Sequence, residues 1–200
     1  MATAGTAGED YTERLQRKGT AWWKRALDVQ RPYRWNLRRL EPGFTLDLGC
    51  GLGRNLAHLG GDGVGIDHNP TSVAACRAAG LEAYTPDEFA ATAHAQQPGT
   101  FDSLLAAHLV EHLPTDDAVT LLRDHLPFVR PGGKVILITP QARGYASDAT
   151  HVTYVDDDGL RRLARALGLT VERSFSFPFP STAVGRFFTY NEFVLVARTP

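Results

Sequence analysis

The chain has 200 residues, 43% of them hydrophobic, with a formal net charge of −1, enough for one well-buried globular core without a second domain. The near balance of acids and bases disfavours a nucleic-acid binder driven by overall charge and fits a small-molecule acceptor better. Two cysteines, Cys50 and Cys76, are too few for a disulfide framework, and their spacing supports no zinc site.

The opening MATAGTAGEDYTE has neither a basic stretch nor an apolar core of the kind that targets a chain for export. No apolar run approaches the roughly 20 residues that span a bilayer. The expectation is a cytoplasmic protein without a membrane partner, monomeric or homodimeric.

From Tyr11 to Leu40, apolar Leu15, Trp22, Trp23, Leu27 and Trp35 alternate with a run of arginines and lysines. This pattern predicts amphipathic helices interrupted at Pro32. Residues 1–42 thus read as a tail and a helical layer, either a solvated basic face or a lid, placed before a single unit over 43–200.

After Pro42-Gly43 short apolar runs alternate with helical stretches, as in strand–helix units of a parallel sheet. Strands are expected at 44–48, 64–67, 81–84, 103–107 and 135–139, and helices at 53–59, 71–79, 87–94, 116–129 and 156–167. Two further β-rich runs, 171–177 and 192–198, flank Pro178, Pro180 and Gly185 and predict a closing antiparallel hairpin.

The first strand runs into LDLGCGLGRN, where Gly49, Gly51 and Gly53 alternate. Glycines accept positive φ and let backbone N–H groups approach a polar ligand, and the helix that follows adds its electropositive end. A dinucleotide fingerprint would put its third glycine where this chain has Arg54. The second strand ends on Asp67, beside the carboxyl end of the first strand, where ligands of open sheets bind. Its carboxylate can accept the two hydroxyls of a ribose, or it can cap the helix after Asn69-Pro70.

These residues resemble those of the class I S-adenosylmethionine-dependent methyltransferases, in particular the small-molecule group that includes the ubiquinone-biosynthesis O-methyltransferases. LDLGCGLGRN, GIDHNP, FDSLLAAHLVEHLP, PGGKVILITP and HVTYVDDDGLRRLARALGL fall in that family's order. The resemblance implies an α/β, Rossmann-like, doubly wound sheet of seven strands, mostly parallel with an antiparallel last strand. The cofactor it implies is S-adenosylmethionine, with S-adenosylhomocysteine as product.

Carried onto this chain, the resemblance implies that Asp47, Gly49, Cys50, Gly51 and Gly53 surround the methionine half and that Asp67 holds the ribose. His68 and Asn69 would lie near the adenosine. Asp87, Glu88 and Phe89 occupy the place of the adenine contacts, and Ala107 and His108 line the methyl-transfer cavity. Arg31 or Arg34 would meet the cofactor carboxylate. Glu111-His112-Leu113 is a family hallmark whose side chains are expected to fix the turn ahead of Pro114.

Methyl transfer needs mainly alignment, and a hydroxyl acceptor adds the need for a base. His151, in DATHVTYV after the fifth strand, and His108 are the two candidates. His151 could instead order its loop by bonding Asp148 or a backbone carbonyl. The acceptor pocket is expected beneath the N-terminal helices and loops 139–153 and 178–189, with Tyr11, Trp22, Trp23, Tyr145, Phe179, Phe187 and Tyr190 near it. The reading is O-methylation of a small molecule. A methyltransferase-like partner subunit without turnover, methylation of a protein or RNA, and a nicotinamide-dependent oxidoreductase are the alternatives.

Overall fold

The computed structural model describes residues 30–200. Tyr11, Trp22, Trp23 and most of the expected N-terminal helical layer lie outside the described residues. Helix α1 (Arg31–Arg39) is the described part of that layer. Pro32 sits in its first turn, where a missing N–H costs nothing, so this helix starts at the proline; the stretch that precedes it lies outside the described residues.

Strands β1 (Thr45–Leu48), β2 (Gly63–Ile66), β3 (Ala83–Tyr84), β4 (Phe101–Ala107), β5 (Val129–Pro140), β6 (Thr170–Phe177) and β7 (Glu192–Arg198) form one sheet in the order β3-β2-β1-β4-β5-β7-β6. The first five are parallel; β7 runs antiparallel to both β5 and β6. This is the doubly wound seven-stranded arrangement expected, including the closing hairpin.

Alternation along the strands feeds a core on each face. Leu46, Leu48, Leu104, Ala106, Val135 and Leu137 point to one side, beneath Ala118 and Leu122 of α6 (Thr115–His125) and Leu160 and Leu163 of α8 (Asp157–Ala166). Leu105, Ala107, Ile136, Ile138, Val194 and Val196 point to the other, where Leu37 and Leu40 close the layer.

Between these elements lie α2 (Arg54–His58), α3 (Pro70–Ala78), α4 (Pro86–Ala90), α5 (Ala93–Gln96) and α7 (Ala142–Tyr145). The helix expected at 87–94 is two short ones. Thr92 donates its hydroxyl to the Phe89 carbonyl at the end of α4, and its oxygen accepts the Ala95 N–H to start α5. The helix expected to reach residue 129 stops at His125, because Pro127 cannot continue it. Strand β5 begins six residues earlier than expected, since a bulge absorbs Arg130–Gly133 and lets Val129 pair with Phe101.

Two consequences matter for function. Strand order reverses between β1 and β4, so their carboxyl ends open a crevice. The register Pro140↔Glu192 brings the start of antiparallel β7 to that same edge. Among the described residues no helix is long and apolar enough to cross a membrane.

Candidate functional site

The turn after β1 carries Gly49, Gly51 and Gly53 at φ of +68°, +54° and +73°. The three do different work. A Cβ on Gly49 would lie 2.8 Å from Leu109, and one on Gly53 would lie 2.5 Å from Leu81 and 3.0 Å from the Cys76 sulfur, so both are small for packing. A Cβ on Gly51 would meet nothing within 4 Å. Its free side faces open space beside the turn.

Asp67 completes this turn. One carboxylate oxygen accepts the Gly51 N–H at 2.8 Å and the other accepts the Asn69 N–H at 2.9 Å. The helix cap is Asn69, whose side chain accepts the Thr71 N–H at 3.0 Å. Each Asp67 oxygen keeps a lone pair for a further donor, while His68 Nδ1 stands 3.8 Å away. The Cys50 and Cys76 thiols converge on the Gly51 carbonyl from behind, at 3.9 Å and 3.2 Å.

Asp47 is fully buried, and neither carboxylate oxygen has a hydrogen-bond partner. Burial pushes its pKa up to about 7, against the opposing pull of the Asn55 amide and the Arg54 charge. Buried polar groups left unpaired are rare and costly. Together with the open flank of Gly51, this orphaned acid fits a turn built to receive a polar, positively charged ligand.

Two other expected contacts are engaged elsewhere. Glu88 closes a capping box with Thr85 and pairs with Arg77 at 2.8 Å. The Phe89 ring is buried and packs edge-on against Phe128.

Next to the turn, a cavity of about 260 Å³ opens at the ends of β4, β5 and β7. Tyr33 and Asn36 from α1, Arg54 and Asn55 from α2, Ala107 at the end of β4 and His108 just after it, and His151 and Tyr190 from the loops contribute to its wall. Helix α1, loop 139–153 and, through Thr189 alone, loop 178–189 reach the wall, whereas Tyr145, Phe179 and Phe187, expected near it, are not among the lining residues. Arg31 and Arg34 are not among the lining residues, whereas Arg54, which sequence reasoning had used only to reject a dinucleotide turn, is. Tyr33 donates its hydroxyl to the Tyr190 carbonyl at 2.7 Å, tying α1 across the opening.

His108 has φ of +58°, a conformation that a non-glycine residue holds only when its surroundings enforce it. Both ring nitrogens face acids: Nδ1 lies 3.3 Å from Glu111 and Nε2 2.9 Å from Glu192. Burial works against its charge, yet the two carboxylates raise its pKa to about 9.

His151 is held differently. Its Nδ1 lies 2.7 Å from the Tyr145 carbonyl, and its ring meets that of His112 at a centroid distance of 4.7 Å. His112, expected to serve only its turn, also lines the cavity and reaches Thr150 in the facing loop. Glu192 was missed by sequence reasoning. Its signal was available: an acid opening an antiparallel last strand must stand at the carboxyl ends of the parallel ones.

Residues 15–174 match a family model described as methyltransferase domain. The chain is 30% identical over 155 residues to the ubiquinone biosynthesis O-methyltransferase of Xanthomonas campestris pv. campestris, covering 70% of this chain and 64% of that protein. It is 33% identical over 102 residues to the enzyme of the same name from Xanthomonas euvesicatoria pv. vesicatoria, covering 48% and 42%. The chain spans about half the length of the curated relatives it matches. Among solved structures it is similar to a SAM-dependent methyltransferase from Archaeoglobus fulgidus (TM-score 0.66, 19% identity, 90% of this chain and 100% of that one). It is also similar to magnesium protoporphyrin IX methyltransferase from Synechocystis with bound SAH (TM-score 0.65, 15% identity, 98% and 97%). At these identities the structural likeness speaks for the fold.

Proposed function

The chain belongs to the methyltransferase domain family, and from that premise we propose that it transfers a methyl group from S-adenosylmethionine to an oxygen of a small-molecule acceptor. The observation that carries this reading is the pairing of an orphaned buried Asp47 with a glycine turn whose tip is bonded to Asp67.

The cofactor supplies an electrophilic methyl group on a sulfonium. The protein's share is to bind, align and keep water out. Asp67 accepts ribose hydroxyls with the lone pairs that Gly51 and Asn69 leave free. Asp47 and the turn at Gly49, Cys50, Gly51 and Gly53 hold the cationic methionine half. His68 and Asn69 would flank the adenosine, and Glu88 and Phe89 would support the adenine contacts through the backbone they fix. Ala107 and His108 form the wall between cofactor and acceptor.

The acceptor enters the cavity under α1 and Tyr190. Both nitrogens of His108 are occupied by Glu111 and Glu192, which leaves no lone pair for a substrate proton and gives His108 a positioning task. The base is His151. Its Nδ1–H is donated to the Tyr145 carbonyl, so its Nε2 carries the lone pair.

The test is incubation of the protein with methyl-labelled S-adenosylmethionine and a metabolite extract, followed by mass spectrometry. A labelled small molecule that is absent with Asp67→Ala supports the proposal. Cofactor binding without any labelled product would instead support a binding subunit.

A further inference from the structure

Glu111, His112 and His151 each place one metal-ligating atom within 4.8 Å of the other two. The hydrogen bonds around them settle which atoms are free. The Thr150 hydroxyl gives its single hydrogen to Asp148 at 2.8 Å, so at 3.1 Å from His112 Nδ1 it can only accept, as can the Thr150 carbonyl at 3.3 Å. His112 Nδ1 is therefore a donor. The Tyr145 carbonyl requires the same of His151 Nδ1. Both neutral rings are left with a lone pair on Nε2, the tautomer that metal-bound histidines acquire by donating their other N–H to a carbonyl.

The third group is the Glu111 carboxylate, 0% exposed, with no hydrogen-bond partner on either oxygen and only the ion-pair distance to His108. Backbone bonds clamp the two loops together, since the Glu111 carbonyl accepts the N–H groups of Val152 and Thr153 at 2.9 Å and 3.1 Å. A buried carboxylate that meets only the His108 ring, through one oxygen, can still supply an oxygen beside two oriented imidazole lone pairs, next to a cavity that His112 and His151 line.

We propose that Glu111, His112 and His151 form a divalent transition-metal site with an open position toward the cavity. Two nitrogen donors and one carboxylate favour zinc, manganese, iron or cobalt over magnesium, which prefers oxygen ligands. Ligand atoms of a zinc-like ion stand about 3.4 Å apart at bond lengths of about 2.1 Å, so the three groups close by on the order of an ångström when loaded. This inference rests on the methyltransferase reading for its role alone: with the ion bound, His151 Nε2 would be a ligand and not the base, and the cation would lower the pKa of an acceptor hydroxyl so that its proton passes to solvent. No sequence spacing announces the site, because its ligands come from two loops that meet only in the fold.

The experiment titrates Zn²⁺, Mn²⁺ and Mg²⁺ into the chelator-treated 200-residue chain by calorimetry, and records the visible spectrum of the Co²⁺ form. Expected are a single Zn²⁺ site of micromolar Kd or tighter, Mg²⁺ at least a hundredfold weaker, and intense Co²⁺ bands of a low-coordinate nitrogen-containing site. His151→Ala, on a loop, should weaken Zn²⁺ at least tenfold, as should His112→Ala, with Glu111→Gln as a third variant if its fold is retained. No Zn²⁺ binding, Mg²⁺ binding as tight as Zn²⁺, or affinity unchanged in both histidine variants would overturn the proposal. S-adenosylhomocysteine binding is measured on the same samples. Its retention without metal binding sinks only the metal site, and its loss with metal binding intact sinks only the cofactor reading.

Discussion

The Gly51 N–H donates to the Asp67 carboxylate across 2.8 Å, which fixes the tip of the glycine turn to the end of the neighbouring strand. The acid is thus placed by the backbone that it serves, and both present their remaining polar capacity to the same crevice. Asp67→Ala removes that arrangement. Cofactor affinity should fall by about 1.5–3 kcal/mol, the worth of charge-assisted hydrogen bonds, or roughly ten- to 150-fold in Kd. Calorimetric titration with S-adenosylhomocysteine measures it, and an unchanged Kd would remove Asp67 from ribose recognition.

Two glycine substitutions should fail in different ways. Gly51→Ala puts a methyl group into open space at φ of +54°, costing about 1–2 kcal/mol of backbone strain and leaving the fold intact while blocking the cofactor. Gly53→Ala drives its methyl group into Leu81, so its stability should fall further. Denaturant melts and cofactor titrations on both variants separate the effects. Gly51→Ala with ordinary cofactor affinity would contradict the open flank as ligand space.

Asp47 sets a pH dependence. Its folded pKa of about 7 lies above the usual carboxylate range, so the protonated form is favoured by folding. That contribution is complete in acid, below the unfolded value, and is lost as pH rises through about 7. The cofactor-free protein should therefore lose thermal stability from pH 5 to pH 8 relative to Asp47→Asn. A cationic ligand pulls the acid toward ionisation, so binding near pH 6 should release protons in wild type and fewer in Asp47→Asn. Calorimetry in buffers of different ionisation heat reads this directly. Equal release by the two proteins would exclude Asp47.

For His151→Ala the expected outcome is turnover reduced tenfold or more, within the usual range for loss of acid–base catalysis, with S-adenosylhomocysteine affinity nearly unchanged. Full activity would take His151 out of the mechanism.

Periodicity and turn residues made the sheet legible. A short apolar run located β4 and a β-rich run β7, Asp67 followed from where GIDHNP ends its strand, and the C-terminal hairpin followed from Pro178 and Gly185 between two β-rich runs. Helix ends were harder, because Thr92 splits a continuous helical pattern with a single hydroxyl. The site was half legible. Asp47 and the glycines sit in one contiguous segment, whereas the contacts of His108, His112 and His151 depend on which loop carbonyls and acids meet them, and Glu192 arrives from 84 residues away. Glu88 shows the converse: a family position can be read off the sequence while its side chain is bound to Arg77.

Crystals soaked with S-adenosylhomocysteine would show in their electron density where the cofactor lies. The expected result is ribose hydroxyls within hydrogen-bonding distance of Asp67 and the amino-acid end lying against Gly51 and Asp47. Density for the compound elsewhere, or none at saturating concentration, would contradict it.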